Sequence, residues 1–109
     1  MTYPVKASKS LVSGWKAETA IELEQISDTK TRVLKIVTDK QSTIASVMVR
    51  EDTGGNFTSE SFTVFQDYMK RIAISNIKRA TEKSVTNAHE QALRKVDEIL
   101  PDIKAQYGL

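Results

Sequence analysis

The feature that most constrains the fold of this chain is a run of 38 residues, 63–100, that contains neither glycine nor proline. Both residues disrupt helix interiors, so their absence from so long a run favours a helical segment. The apolar residues of the run lie on two stripes at helical spacing, and the second stripe is rotated about 170° from the first. The first stripe, which would cover a sheet, consists of Phe65, Met69, Ile72, Ala73 and Ala80.

The second stripe starts at Val85, so the phase of the apolar pattern changes between Ala80 and Val85. Two geometries explain the change: a helical hairpin that breaks near residues 81–84, or one helix of about 57 Å that serves two surfaces. A helix that long extends beyond a globule of this size, and its second stripe would then need a partner. We therefore predict a homodimer or higher homo-oligomer whose interface consists of Val85, His89, Ala92, Leu93, Val96, Ile99 and Leu100.

The first half of the chain shows the period-two alternation of β-strands. Strands are predicted at about 15–24, 31–38, 42–50 and 57–62. Gly54 and Gly55 indicate a tight turn before the short fourth strand. Thr63 and Gln66 have the spacing of a capping box, which would start the helical segment.

The second and third predicted strands carry apolar residues on both faces. In the second, Val33 and Val37 point to one side and Leu34 and Ile36 to the other. Strands of this kind are typically covered on both sides. Either they occupy the centre of the sheet under helix and loop, or a partner uses one of the apolar faces.

The predicted fold class is α+β: an antiparallel meander of about four strands, followed by a long C-terminal helix or two-helix segment. A length of 109 residues suits a single domain. Residues 1–14 show no sustained periodicity and are expected to form a mobile N-terminal arm. Within the domain 15–109, residues 15–62 would form the sheet and residues 63–109 the helical part.

The residues offer little catalytic chemistry. The chain has no cysteine, which excludes a thiolate metal site and a cysteine nucleophile, and it has neither an HExxH spacing nor a nucleophile elbow. Its single histidine, His89, lies within the second stripe and is expected to be packed or interfacial. We therefore predict that the protein is not an enzyme and has no metal site and no cofactor.

A net charge of +2 and a pI of about 8.9 permit a polyanionic partner. The order of four strands and then a helix resembles the whirly-type single-stranded DNA-binding folds, which present a curved sheet and dimerise through helices. This resemblance of element order implies a basic sheet face that tracks phosphates and an aromatic residue that stacks on bases. The candidate nucleic-acid-binding residues are Lys30, Arg32, Lys35, Lys40, Arg50 and Trp15.

Each of these candidates has a simpler structural interpretation. Trp15 is in phase with Ile21 and Leu23, as expected of a core residue, and the basic side chains could form an ordinary solvated surface. Self-association is thus the leading prediction, in the form of a non-enzymatic binding or assembly protein that oligomerises through its C-terminal helices. The alternative is a sequence-tolerant single-stranded nucleic-acid-binding protein.

No apolar run approaches the ~20 residues of a membrane span, and the first residues lack the apolar core of a signal peptide. We therefore expect a cytoplasmic protein without a membrane partner.

Overall fold

The described part of the chain folds into five antiparallel strands and one helix. The computed structural model describes residues 3–12, 14–52 and 60–109. The strands are β1 (Lys6–Ser10), β2 (Gly14–Gln25), β3 (Lys30–Thr38), β4 (Ser42–Asp52) and β5 (Glu60–Ile74), and the helix is α1 (Glu82–Gln106). The strands pair in chain order as a meander, and the sheet is curled into a half-barrel. The predicted α+β class with an antiparallel meander and a C-terminal helix is confirmed.

The strands predicted at 15–24, 31–38 and 42–50 correspond to β2, β3 and β4. The glycine turn that the sequence predicts at 54–55, and residues 57–59 of the predicted fourth strand, lie outside the described residues.

The prediction that the helical part starts at residue 63 is wrong, because Glu60–Ile74 is the strand β5. This segment contains many β-branched and aromatic residues, which favour a strand. Its pairing with β4 is irregular. Between the pairs Met48↔Val64 and Ser46↔Met69, β5 contains more residues than β4 does. Extra residues of this kind shift the alternation of a strand. Apolar residues then fall at spacings of three and four, which resemble a helical stripe in the sequence.

The N-terminal segment predicted as a mobile arm contains a strand. Lys6–Ser10 forms β1, which pairs antiparallel with β2 from Lys6↔Glu18 to Ser10↔Gly14. The strand was not predicted because its lysine and serine residues show no apolar–polar alternation. Polar residues are nevertheless common at the edge of a sheet, where β1 lies.

The helix begins at a capping box that was not predicted. The Thr81 hydroxyl accepts a hydrogen bond from the Ser84 amide at 3.1 Å, and the Ser84 hydroxyl accepts one from the Thr81 amide at 2.9 Å. These two bonds satisfy backbone donors that the first turn of a helix leaves free. Pro101 lies within the helix, which continues to Gln106.

The main core lies between α1 and one side of the sheet, which we call the helix side. Val96 and Ile103 of the helix are buried with Leu34, Ile36 and other apolar residues of β2, β3 and β4. The opposite side of the sheet, which carries the alternate residues, is the outer face. No helix in the described part of the chain combines the length and the apolar character that a membrane crossing needs.

Removing a core side chain should destabilise the fold strongly. Leu34 is fully buried between the sheet and α1, so Leu34→Ala leaves a cavity and should lower the free energy of unfolding by about 2–5 kcal/mol. Leu11→Ala is the matched control, because Leu11 is fully exposed and its truncation should cost less than about 1 kcal/mol. Urea denaturation of both variants measures the two costs, and equal costs would contradict the core described above.

Candidate functional site

The apolar stripe of α1 does not form a free surface. Val85, His89 and Val96 are fully buried, and Ala92 and Leu93 retain only 2% and 8% of their exposure. The two remaining members of the predicted interface, Ile99 and Leu100, are half-buried and pack against the core cluster.

The structure thus gives no support to the prediction that this stripe binds a second copy. It depended on a helix that started at residue 63 and extended beyond the globule. Since α1 starts at Glu82, the whole helix fits over the sheet and its apolar stripe covers the chain's own core.

His89 is part of a buried row of hydrogen-bonded polar groups between α1 and the sheet. Its Nε2 lies 2.6 Å from the Thr19 hydroxyl of β2, and its Nδ1 lies 2.8 Å from the Thr38 hydroxyl of β3. The Thr38 hydroxyl is in turn 2.8 Å from that of Thr43 on β4. A neutral imidazole has one donor and one acceptor nitrogen, and a hydroxyl serves either role, so both ring nitrogens are satisfied.

Burial in this row keeps His89 neutral. Desolvation lowers its pKa from 6.5 to about 4, and the Glu18 carboxylate opposes this with a smaller effect. A neutral, fully hydrogen-bonded histidine that is closed off from solvent has no access to a substrate. We infer that His89 fixes the position of α1 across three strands.

The six predicted nucleic-acid-binding residues do not come together. Arg32 donates from Nε to Glu24 Oε1 at 2.7 Å and lies 4.7 Å over the Tyr107 ring, next to the end of the helix. Trp15 is half-buried on the helix side, in phase with Ala17. Lys30 and Lys40 are exposed at opposite ends of β3.

Lys30 and Arg32 line one depression together with Glu51. Lys35 and Arg50 share a separate one, the outer depression, which lies on the outer face. Its volume is about 290 Å³. Lys35 Nζ lies 4.2 Å over the Phe62 ring, as in a cation–π contact. The charged and aromatic residues that line it are Lys6, Glu18, Lys35, Arg50 and Phe62.

Two carboxylates offset most of the positive charge there. Lys35 Nζ is 3.7 Å from Glu18 Oε2, and Arg50 donates from Nη2 to Glu22 Oε1 at 2.8 Å. Three cations and two carboxylates leave the outer depression with a net charge of only +1.

A second outer-face feature is an exposed group of large apolar side chains beside the depression, which we call the outer patch. Ile44 is 37% exposed, Val64 42%, Met69 60% and Ile74 63%. The strand register makes these residues neighbours: Ile44 pairs with Val37 and Arg71, Met69 with Ser46, and Val64 with Met48. The outer patch consists of Val37, Ile44, Met48, Val64, Met69 and Ile74.

Part of the outer patch is visible in the sequence. The apolar residues on both faces of the second and third predicted strands indicated a second face in need of cover. Val64, Met69 and Ile74 were missed because the sequence pattern placed them on a helix.

Among the described residues, no group of three or more histidine, aspartate or glutamate side chains is placed to hold a metal ion. A comparison of the chain with protein-family models, curated proteins and solved structures finds no match.

The stability of the fold should depend on the protonation of His89. Because its folded pKa of about 4 lies below the unfolded value of 6.5, the unfolded chain takes up a proton first as the pH falls. The contribution of neutral His89 to the free energy of unfolding is complete above pH 6.5 and is lost toward pH 4. The size of this contribution is about 2–4 kcal/mol. Urea denaturation across this window should show a smaller pH slope for His89→Gln than for the wild type. Equal slopes would disprove the role of His89.

Proposed function

We propose that the protein is a non-enzymatic, self-associating binding or assembly protein, and that two copies meet through the outer patch. The observation that carries the proposal is the exposure of Ile44, Val64, Met69 and Ile74 together on one face of the sheet, at 37–63% each. Contiguous apolar surface of this kind marks interaction sites on folded proteins.

Charge complementarity supports a second copy as the partner. Glu18, Val37, Ile44 and Arg71 form one row across β2, β3, β4 and β5. If two outer faces pack about a two-fold axis parallel to the strands and between β3 and β4, β2 of one copy overlies β5 of the other. Glu18 then meets Arg71 of the second copy, while Val37 meets Ile44. The arrangement pairs opposite charges at both ends of the row and apolar side chains in the middle.

The size of the outer patch indicates a modest affinity. A standard interface buries about 800 Å² per partner, whereas the largest apolar patch on a monomer typically covers about 300–600 Å². The charged rim must supply the rest of the contact area. We therefore expect a dimer that forms at micromolar concentrations.

Charged substitutions in the outer patch should dissociate the dimer without unfolding the chain. Met69→Lys and Ile44→Lys each place a charge in the proposed interface, where burial without a partner is costly. Light scattering at micromolar concentration should report a dimer for the wild type and a monomer for either variant. Ile26→Lys is the control, because Ile26 is 45% exposed in the turn between β2 and β3, away from the patch. A wild-type monomer would contradict the proposal.

A charge exchange tests the orientation of the two copies. Glu18→Arg or Arg71→Glu alone places like charges together twice in a two-fold interface and should weaken the dimer about tenfold. The double variant Glu18→Arg, Arg71→Glu restores opposite charges and should recover most of the affinity. Additive losses in the double variant would exclude this arrangement. Sedimentation equilibrium measures the dimer dissociation constants of the wild type and the three variants.

The outer depression favours one second candidate, the binding of single-stranded nucleic acid. Lys6, Lys35 and Arg50 line it together with Phe62, and Lys35 lies over the Phe62 ring. Cations beside an aromatic ring suit phosphates and bases. The net charge of +1 supports this function less than the outer patch supports self-association.

Nucleic-acid binding would show as salt-dependent affinity for a labelled oligonucleotide. Lys35→Ala with Arg50→Ala should weaken binding and reduce its salt dependence, because phosphate contacts are lost. Lys30→Ala is the control, since Lys30 lies at the end of β3 outside the depression. Absence of binding at low salt would eliminate this candidate.

A further inference from the structure

The hairpin between β1 and β2 ends in two fully exposed aliphatic side chains. Leu11 has 105% and Val12 98% of its reference exposure, and the hairpin closes behind them with the pair Ser10↔Gly14. Exposed aliphatic surface is unfavourable in water, and neither side chain contributes to the core of its own chain. The tip is therefore suited to insertion into another apolar medium.

Two other connections lie at the same end of the molecule as the hairpin tip. The Ile77 amide donates to the Lys40 carbonyl at 3.3 Å, and the Ser75 amide donates to the Gln41 carbonyl at 3.4 Å. These bonds join the β3–β4 turn to the segment that leads from β5 to α1. Ala80 of that segment lies against Gly14, where an added Cβ would be 3.3 Å from the Ala80 Cβ.

This end of the molecule is strongly basic. Its acidic residues are Asp39, whose carboxylate accepts bonds from the Gln41 and Ser42 amides, and Glu82 in the first turn of α1. Six basic against two acidic residues give a charge of +4, whereas the whole chain carries only +2. The rest of the chain is thus at −2. The basic residues are Lys9, Lys16, Lys40, Lys78, Arg79 and Lys83.

In place of the expectation of no membrane partner, we propose that this basic end docks on the surface of an anionic membrane, with Leu11 and Val12 inserted between the lipid headgroups. An anionic bilayer satisfies both features at once, because its headgroups attract lysine and arginine while its interface accepts apolar side chains. A nucleic acid would attract the charge but offers no comparable medium for two exposed aliphatic side chains. Trp15, which follows the tip, belongs to the residue type enriched at membrane interfaces.

Membrane docking is compatible with self-association but does not depend on it. A two-fold axis parallel to the strands leaves the basic ends of both copies on the same side of the dimer. The dimer would present two hairpin tips to one flat surface, which raises the apparent affinity through multivalency. A monomeric variant such as Met69→Lys should bind the same vesicles, only more weakly.

Vesicle co-sedimentation tests the proposal with the full chain. The wild type should sediment with vesicles of phosphatidylcholine and phosphatidylserine and remain in solution with phosphatidylcholine alone. Leu11→Ser with Val12→Ser should weaken binding about tenfold through lost apolar burial. Lys78→Ser with Arg79→Ser should weaken it by about the same factor through lost attraction to the headgroups. The control Ile26→Ser with Lys30→Ser alters an exposed aliphatic and a cation at the opposite end and should bind like the wild type.

Fluorescence gives a second readout, because Trp15 is the only tryptophan and lies next to the hairpin tip. Its emission should shift to shorter wavelength with anionic vesicles and be quenched by lipids labelled near the headgroup. Thermal unfolding verifies that each variant is folded.

Three results would overturn the proposal. The first is no sedimentation with anionic vesicles at low salt, and the second is wild-type binding by the Leu11→Ser, Val12→Ser variant. The third is an oligonucleotide affinity that needs Lys78 and Arg79 but not the apolar pair, which would make this end a nucleic-acid site. A monomeric wild type that still binds vesicles would disprove only the proposed self-association.

Discussion

The packing of the α1 stripe on the helix side of the sheet is the interaction on which the rest of the structure depends. The meander has two faces, and without the helix both would expose apolar side chains: Leu34 and Val47 on the helix side, Val37 and Ile44 on the outer face. The burial of Val85, Ala92, Val96 and Ile103 closes one face only. Every proposal about binding follows from what this single helix leaves uncovered.

The histidine in that interface makes the packing specific. An apolar stripe can slide along a sheet at little cost, but a buried imidazole must keep both nitrogens paired. His89 meets Thr19 and Thr38 at one position of the helix only, and a displacement would leave buried polar atoms without partners. The same requirement explains why the histidine that sequence reasoning placed at an interface lies instead at an interface within the chain.

The sequence predicted the fold where one periodicity acts alone. The strands β2, β3 and β4 and the stripe of α1 each keep one period over most of their length, and all four were recognised. β5 was misread because its register irregularities, between Val64 and Met69 and near Ile72, mix strand and helix spacings. β1 was missed because polar edge residues carry no apolar signal. These errors affected the predicted site as well: with residues 63–80 read as helix, the exposed apolar side chains of β5 were not recognised, and the interface was predicted on a stripe that is buried.

The two proposed surfaces face different directions, and this separation has a physical origin. A meander places all chain reversals at its two ends, so charged turn residues collect there while apolar residues collect on the faces. Lys40, Lys78 and Arg79 lie at one end with the hairpin tip, whereas Glu51 and Asp28 belong to the strand ends and turns opposite. The basic end of the molecule and the apolar outer face can therefore bind different partners independently. Self-association about an axis parallel to the strands preserves the polarity, whereas an axis across the strands would cancel it.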